Sequence, residues 1–286
     1  MASKLRTLII LGRVSNLPTV WSNCLAGWWL GGGGNYAKLP LLLLGTSLLY
    51  TGGMFLNDAF DQEFDRLRRS ERPIPSGKIH PNQVWGFGFG QLILGILLLL
   101  GCGTVATVAA LLLAFFILVY DFAHKFLVTS PWLMGMCRFW VYIIAGATGT
   151  NGLNGFAVFG GAALAFYIVG LSYVARRESA RGPIPFLSLW LMAAPILLAL
   201  AINTGGYLRA ALCIAILLAL WIVRHVRYIF LGEGTNIGWV VGNLLAGIVL
   251  VDWLAVAPEI SHWLSALIFL SLLALTKGMQ KLVPAT

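Results

Sequence analysis

Acidic residues are scarce in this chain: ten Asp and Glu among 286 residues, against nineteen Lys and Arg. Charged residues make up 10% of the sequence, where a soluble domain carries about a quarter. With 59% hydrophobic residues, that shortage excludes a soluble globular domain and implies an integral membrane protein. Cysteine and histidine are equally sparse, four of each. Cys24, Cys102, Cys137 and Cys213 lie inside apolar runs with no CxxC or Cys/His spacing, so they read as buried small hydrophobes. His80, His124, His225 and His262 are dispersed, which argues against zinc. No polar stretch is long enough to separate two domains, so residues 1–286 are expected to form one membrane domain. No cleavable leader is expected, because residues 1–12 are weakly amphipathic and the first long run offers no clear small-residue cleavage site.

What the chain does have is a succession of apolar runs long enough to cross a bilayer. They fall at about 17–33, 39–56, 84–102, 104–122, 132–150, 154–174, 185–203, 207–223 and 239–256. A tenth, 262–276, is short enough to span, lie in the interface or re-enter. The fold class is therefore an all-α polytopic bundle of nine or ten membrane helices. Sixteen of the nineteen basic residues fall in alternate loops, leaving Lys38 and Arg209 opposite and Arg138 within a span. By the positive-inside rule those sixteen face the cytoplasm, which suits a plasma (inner) membrane location. The net charge of +9 follows from this topology and needs no nucleic acid. Glycine is abundant, 33 residues, and close helix packing is its default explanation.

Half of the scarce carboxylates are concentrated in one place. Five of the ten lie between Asp58 and Glu71, directly after the apolar run 39–56. Ionisable groups at such a depth are costly and usually mark a site. If the preceding helix continues, Asn57, Asp61 and Asp65 share one face, each about 6 Å along the axis from the last. Asp58 sits at the edge of that face. Oxygen ligands on one rigid face suit a hard cation such as Mg²⁺, and the bland alternative is a solvated interfacial loop.

Asn57-Asp58-Ala59-Phe60-Asp61-Gln62-Glu63-Phe64-Asp65 is followed by Arg72-Pro73-Ile74-Pro75-Ser76-Gly77. The pattern N-D-x-x-D-x-x-x-D with a downstream R-P-I-P-S-G resembles the UbiA superfamily of intramembrane prenyltransferases. Its spacing is similar to the branch that contains chlorophyll synthase. The resemblance implies a helical bundle around a central cavity. It also implies an enzyme that moves an isoprenoid chain from a prenyl diphosphate to an aromatic or other lipophilic acceptor, with Mg²⁺ as cofactor. On that reading Asn57, Asp58, Asp61 and Asp65 hold metal, and the three aspartates carry catalysis. Arg72, opening the proline-rigidified turn, becomes the leading diphosphate ligand. Tyr120-Asp121-Phe122-Ala123-His124-Lys125 resembles the family's tyrosine-to-lysine element, which makes Tyr120 and Lys125 candidate substrate contacts; Lys125 could equally be a topogenic charge. Gly135-Met136-Cys137-Arg138 resembles its glycine-then-arginine stretch, and Arg13 and Asn16 match the basic start of its first helix.

The chain departs from the family where a second aspartate-rich motif is expected. That position reads Tyr173-Val174-Ala175-Arg176-Arg177-Glu178-Ser179-Ala180-Arg181-Gly182, with one carboxylate and three arginines. Glu178 remains as a metal ligand, while Arg176 or Arg177 would neutralise the diphosphate directly in place of a second metal. Basic residues here equally satisfy topology. The segments 57–83 and 175–184 are expected at one face, capping a common cavity with Asp58, Asp61 and Asp65 pointing in. The alternative is a non-catalytic protein of the same fold that binds or moves a prenylated or aromatic lipid. An unrelated transporter would need coupling carboxylates inside the spans, and Asp252 is the only deep acid.

Overall fold

The computed structural model describes residues 2–176, 186–231, 236–257 and 262–283. The chain enters through α1 (Ala2–Leu11) and a 3-10 turn at Val14–Asn16. The apolar runs then become α2 (Leu17–Leu30), α3 (Leu39–Phe60), a short α4 (Gln62–Arg68), α5 (Pro81–Leu100), α6 (Thr104–Ala123), α7 (Ser130–Thr148) and α8 (Gly155–Ala175). After the undescribed residues come α9 (Phe186–Ile202), α10 (Gly205–Leu231), α11 (Ile237–Ala246), α12 (Ile248–Val256) and α13 (His262–Leu282). Seven helical segments among the described residues are long and apolar enough to cross a membrane. The tenth apolar run is longer than its composition indicated, because α13 continues 21 residues and takes in Lys277 and Lys281.

Local chemistry sets the starts of these helices. Proline occupies the first turn of α2, α3, α5 and α7, where its missing N–H is not needed. His80 and Gln83 cap α5 reciprocally, and Asn154 and Asn236 cap α8 and α11 through their side-chain oxygens. α3 and α5 then approach closely along a glycine seam. A Cβ on Gly52 would lie 2.9 Å from the Gly88 carbonyl oxygen, and one on Gly95 would lie 2.8 Å from that of Gly45. Small residues permit this contact, and it gives two apolar helices a large dispersion interface where lipid offers no hydrophobic drive.

Two apolar cores result. One joins α2, α3, α5, α6 and α7 through residues such as Val20, Leu49, Leu113 and Ile144. The other gathers α8 to α13 through Leu164, Tyr167, Leu218, Leu244, Leu250 and Phe269. A cavity of about 830 Å³ opens between them, with Val20, Leu113, Ile117 and Val141 on one side and Ile168, Leu171, Val241 and Leu245 on the other.

Both ends of the chain reach the same end of the bundle. Gln280 Nε2 donates to Asn16 Oδ1 at 3.5 Å and to the Gly242 carbonyl at 2.9 Å, while Lys277 Nζ donates to Asn243 Oδ1 at 2.7 Å. The first and last helices therefore leave on one side, which fits an even number of passages and places Lys277 with the other basic loops. Arg176, at the end of α8, donates to the carbonyls of Leu127 and Val128 in the α6–α7 loop. The acidic segment after α3 and the end of α8 thus share a face, as the sequence implies.

Candidate active site

The polar end of the cavity is built by the break between α3 and α4. Helical hydrogen bonding runs through it, with Asp61 N donating to Asn57 O at 3.0 Å and Asp65 N to Asp61 O at 2.9 Å. Asn57, Asp61 and Asp65 consequently keep a near-helical succession. Only Asn57 and Asp61 line the cavity; Asp58 and Asp65 stand behind that wall. The reason is Arg72. A turn after α4, closed by Arg72 N donating to Arg69 O at 3.0 Å, brings its guanidinium back between the two acids, with Nη1 at 3.2 Å from Asp58 Oδ1 and 2.9 Å from Asp65 Oδ2. Arg72 itself lines the cavity, so the two acids hold a cation at its edge.

The other carboxylates are paired as well. Arg13 Nη2 reaches Asn57 Oδ1 at 3.2 Å and Asp58 Oδ1 at 3.4 Å. Its backbone is left-handed, φ 43° and ψ 47°, an uncommon conformation for a residue with a Cβ. Lys125 Nζ lies 2.8 Å from Asp61 Oδ1, and His124 Nε2 lies 3.3 Å from the same oxygen. Burial pushes the Asp61 carboxyl up, but the His124 and Lys125 partners outweigh it and hold the group below its ordinary value. Burial pushes His124 down, and Asp61 outweighs that in turn, so the imidazole is raised. At Asp65 burial prevails over Arg72, and its carboxyl is raised. The Phe64 ring lies near two cations, with the same Lys125 Nζ 5.1 Å and Arg68 Cζ 5.2 Å from its centroid.

Sequence reading does not single out Asp121 as a site residue, yet it is central. It is buried, lines the cavity, and takes Asn57 Nδ2 on Oδ1 at 3.1 Å. Its Oδ2 has no hydrogen-bond partner among the described residues, as is also true of Asp65 Oδ1. The available signal was an acid next to the tyrosine at the polar end of an apolar run. Tyr50 and His124 also line the wall without a sequence signal of comparable strength.

Of the remaining candidates, Asn16, Tyr120, Lys125, Arg138 and Arg176 all line the cavity. Arg138 is buried at its floor, donating to Asn23 Oδ1 at 2.6 Å and Thr19 Oγ1 at 3.1 Å. Arg176 is occupied by the loop carbonyls and by Ser130 Oγ, so its guanidinium braces the segment that carries Lys125. Arg177 and Glu178 lie outside the described residues.

The chain has relatives among known proteins. The model of the UbiA prenyltransferase family matches residues 16–229. The chain belongs to the UbiA prenyltransferase family. The protoheme IX farnesyltransferase of Bacillus pumilus is 35% identical over 99 residues, 32% of each chain. The 4-hydroxybenzoate octaprenyltransferase of Aeromonas salmonicida is 31% identical over 144 residues, 48% of this chain and 47% of that one. These matches span about a third to a half of the relatives' length. Among solved structures, the apo UbiA homologue of Aeropyrum pernix superposes with a TM-score of 0.68 at 18% identity, covering 85% of this chain and 96% of that one. The Archaeoglobus fulgidus homologue bound to GPP and Mg²⁺ does so with a TM-score of 0.51 at 14% identity, covering 96% and 99%. Both structural likenesses concern the UbiA fold.

Proposed function

We propose that this UbiA-family chain transfers an isoprenoid group from a prenyl diphosphate to a lipophilic acceptor inside the membrane. The observation that carries the reading is the polarity of one cavity. Arg13, Arg68, Arg69, Arg72, Lys125 and Arg176 crowd its mouth, while the rest of its lining is largely apolar, with Arg138 as a further cation. That gradient fits an amphiphile with a strongly anionic head and an apolar tail. Arginine and lysine donors bind the phosphate oxygens, and the tail lies between Leu113, Ile117, Ile168 and Leu171.

The donor set also fits one Mg²⁺. Asn57, Asp61 and Asp121 offer hard oxygens at the cavity, and Asp121 Oδ2 is without a hydrogen-bond partner among the described residues. Among the described residues no three His, Cys, Asp or Glu side chains form a closed metal cage. An ion held by one or two carboxylates together with substrate phosphate needs no such cage. When bound, the ion supplies Lewis-acid neutralisation of the diphosphate. Asp58 and Asp65 serve differently, by fixing Arg72.

Loss of the diphosphate takes the electrons of the allylic C–O bond with it and leaves positive charge on the prenyl group. Tyr50, Tyr120 and Phe64 are among the lining residues, and aromatic rings near such a charge stabilise it. The acceptor attacks the prenyl carbon and then sheds a proton. Arg138 at the floor and Asn16 at the side are the polar groups placed to orient the acceptor. The positive-inside distribution supports a mouth on the cytoplasmic side of an inner membrane.

The test is purified protein in lipid nanodiscs with Mg²⁺, farnesyl or geranylgeranyl diphosphate and a panel of aromatic and lipid acceptors, read by diphosphate release. Acceptor-dependent release supports transfer. Tight prenyl diphosphate binding without release across the panel supports the non-catalytic binder instead.

A further inference from the structure

The only acid deep within an apolar run does not line the cavity. Asp252, on α12, has no exposed surface and takes three donors: Tyr142 OH on Oδ1 at 2.6 Å, Asn23 Nδ2 on Oδ2 at 2.7 Å, and the Ser22 hydroxyl on Oδ2. A carboxylate at membrane depth is expensive, and a set of donors drawn from α2 and α7 shows that the fold is arranged to keep it. α12 starts at an interruption after Gly247, and the backbone there is satisfied from outside. Tyr167 OH donates to the Leu244 carbonyl at 2.8 Å, and Trp221 Nε1 to that of Asn243 at 2.9 Å.

What the acid acts on is legible from Asn23. Its Nδ2 donates to Asp252 while its Oδ1 accepts Arg138 Nη1 at 2.6 Å. An amide donates and accepts from one planar group, so it can sit between an anion and a cation with both satisfied. Thr19 Oγ1 takes Arg138 Nη2 at 3.1 Å, and the Tyr50 ring centroid lies 5.5 Å from the guanidinium carbon. Two of the five guanidinium N–H groups are fixed by these bonds to α2, and the side chain still lines the cavity.

We propose that Asp252 is a positioning residue: through Asn23 it fixes the Arg138 guanidinium at the cavity floor, where its remaining N–H groups select an acceptor that carries an anionic or carbonyl oxygen. The selection half of this inference rests on reading the cavity as a prenyl-transfer site; the positioning half does not.

The experiment has two arms. In the first, protein labelled with ¹⁵N-arginine is examined by NMR in detergent, and the Arg138 side-chain resonance is assigned through Arg138→Lys. Asp252→Asn and Asn23→Leu should each shift that resonance and speed its proton exchange by at least about tenfold, since a buried ionic hydrogen bond has been lost. Tyr142→Phe, which keeps the ring and removes one bond to Asp252, should shift it less and serves if Asp252→Asn does not fold. An Arg138 resonance unmoved in every folded variant overturns the proposal.

In the second arm, steady-state kinetics use geranylgeranyl diphosphate with 4-hydroxybenzoate and, separately, with phenol. The KM for 4-hydroxybenzoate should rise at least about tenfold in Asp252→Asn, with the KM for geranylgeranyl diphosphate unchanged and phenol unaffected. A purely structural role would instead lower the melting temperature and move both KM values together, which overturns selection. Absence of turnover in the wild type counts against the transfer reading, and the resonance arm then decides the positioning role alone.

Discussion

Lys125 Nζ and Asp61 Oδ1 lie 2.8 Å apart at the cavity wall, so a cation able to bind phosphate and a carboxylate able to bind a metal neutralise each other. On the proposed transfer reading, a diphosphate with Mg²⁺ would satisfy both at once: Lys125 would bind phosphate oxygen and Asp61 would help hold the ion. Either charge alone would leave an unpaired group in a partly desolvated site.

This exchange predicts the behaviour of single substitutions. Asp61→Asn should abolish the Mg²⁺ dependence of farnesyl diphosphate binding, and Lys125→Gln should weaken binding by about 1.5–3 kcal/mol, at least tenfold in Kd. Calorimetric titration with and without Mg²⁺ checks both. Binding that is indifferent to both substitutions and to chelator would return the acidic segment to a solvated loop.

Asp65 should behave unlike Asp61. It is buried behind Arg72 and outside the cavity, so Asp65→Asn acts by loosening the guanidinium. Loss of this charge-assisted bond should cost about 1.5–3 kcal/mol of stability and a smaller share of diphosphate affinity. Arg72→Lys should lose affinity first, because one ammonium cannot keep Asp58 and Asp65 and still present a fork to phosphate. Thermal unfolding in parallel with titration separates the two patterns. Equal losses in both assays for both variants would show Arg72 to be a structural strut only.

How much of this was legible in the sequence varies with the distance over which the information acts. The membrane helices follow from uninterrupted apolar runs, and the acidic motif from a cluster of charge that composition makes conspicuous. Asp58 and Asp65 are legible as site residues, but their role is not. That role depends on the turn after α4 that brings Arg72 back from seven residues beyond Asp65. The Asp252, Asn23 and Arg138 chain was out of reach, because its bonds join residues separated by 229 and 115 positions and no periodicity encodes them. That the start of α2 and the end of α13 meet, through Gln280 and Asn16, was likewise out of reach of the sequence.

The glycine run in α5 separates packing from composition. Gly86, Gly88 and Gly90 look alike in sequence, but a Cβ meets nothing within 4 Å at Gly86 and Gly90. At Gly88 it would lie 2.6 Å from Leu56 Cγ, in the seam against α3. Gly88→Ala should therefore cost about 1–3 kcal/mol from overpacking. Gly86→Ala and Gly90→Ala should be neutral or stabilising by up to about 1 kcal/mol through helix propensity. Melting temperatures in detergent, compared across the three variants, test this. Three equal shifts would mean the seam does not govern stability.

Arg176 offers the sharpest separation between a phosphate ligand and a brace. The sequence places it where relatives are expected to carry carboxylates, which suggests compensation by direct contact with the diphosphate. In the structure its Nη1 and Nη2 are committed to the Val128 and Leu127 carbonyls, and Nη2 also reaches Ser130 Oγ at 2.7 Å. Those acceptors belong to the loop that begins just after Lys125. On this geometry Arg176 would act on a bound diphosphate only through Lys125, by holding the loop that follows it. Residues that act through one another do not add. Arg176→Gln should weaken farnesyl diphosphate binding severalfold in the wild type and change it by less than about 0.5 kcal/mol in a Lys125→Gln background. A direct phosphate contact would cost about 1.5–3 kcal/mol in both backgrounds. Full additivity in that double-mutant cycle would reassign Arg176 from brace to clamp, and would restore the arginine as the stand-in for charge that a second acidic motif and its metal would otherwise supply.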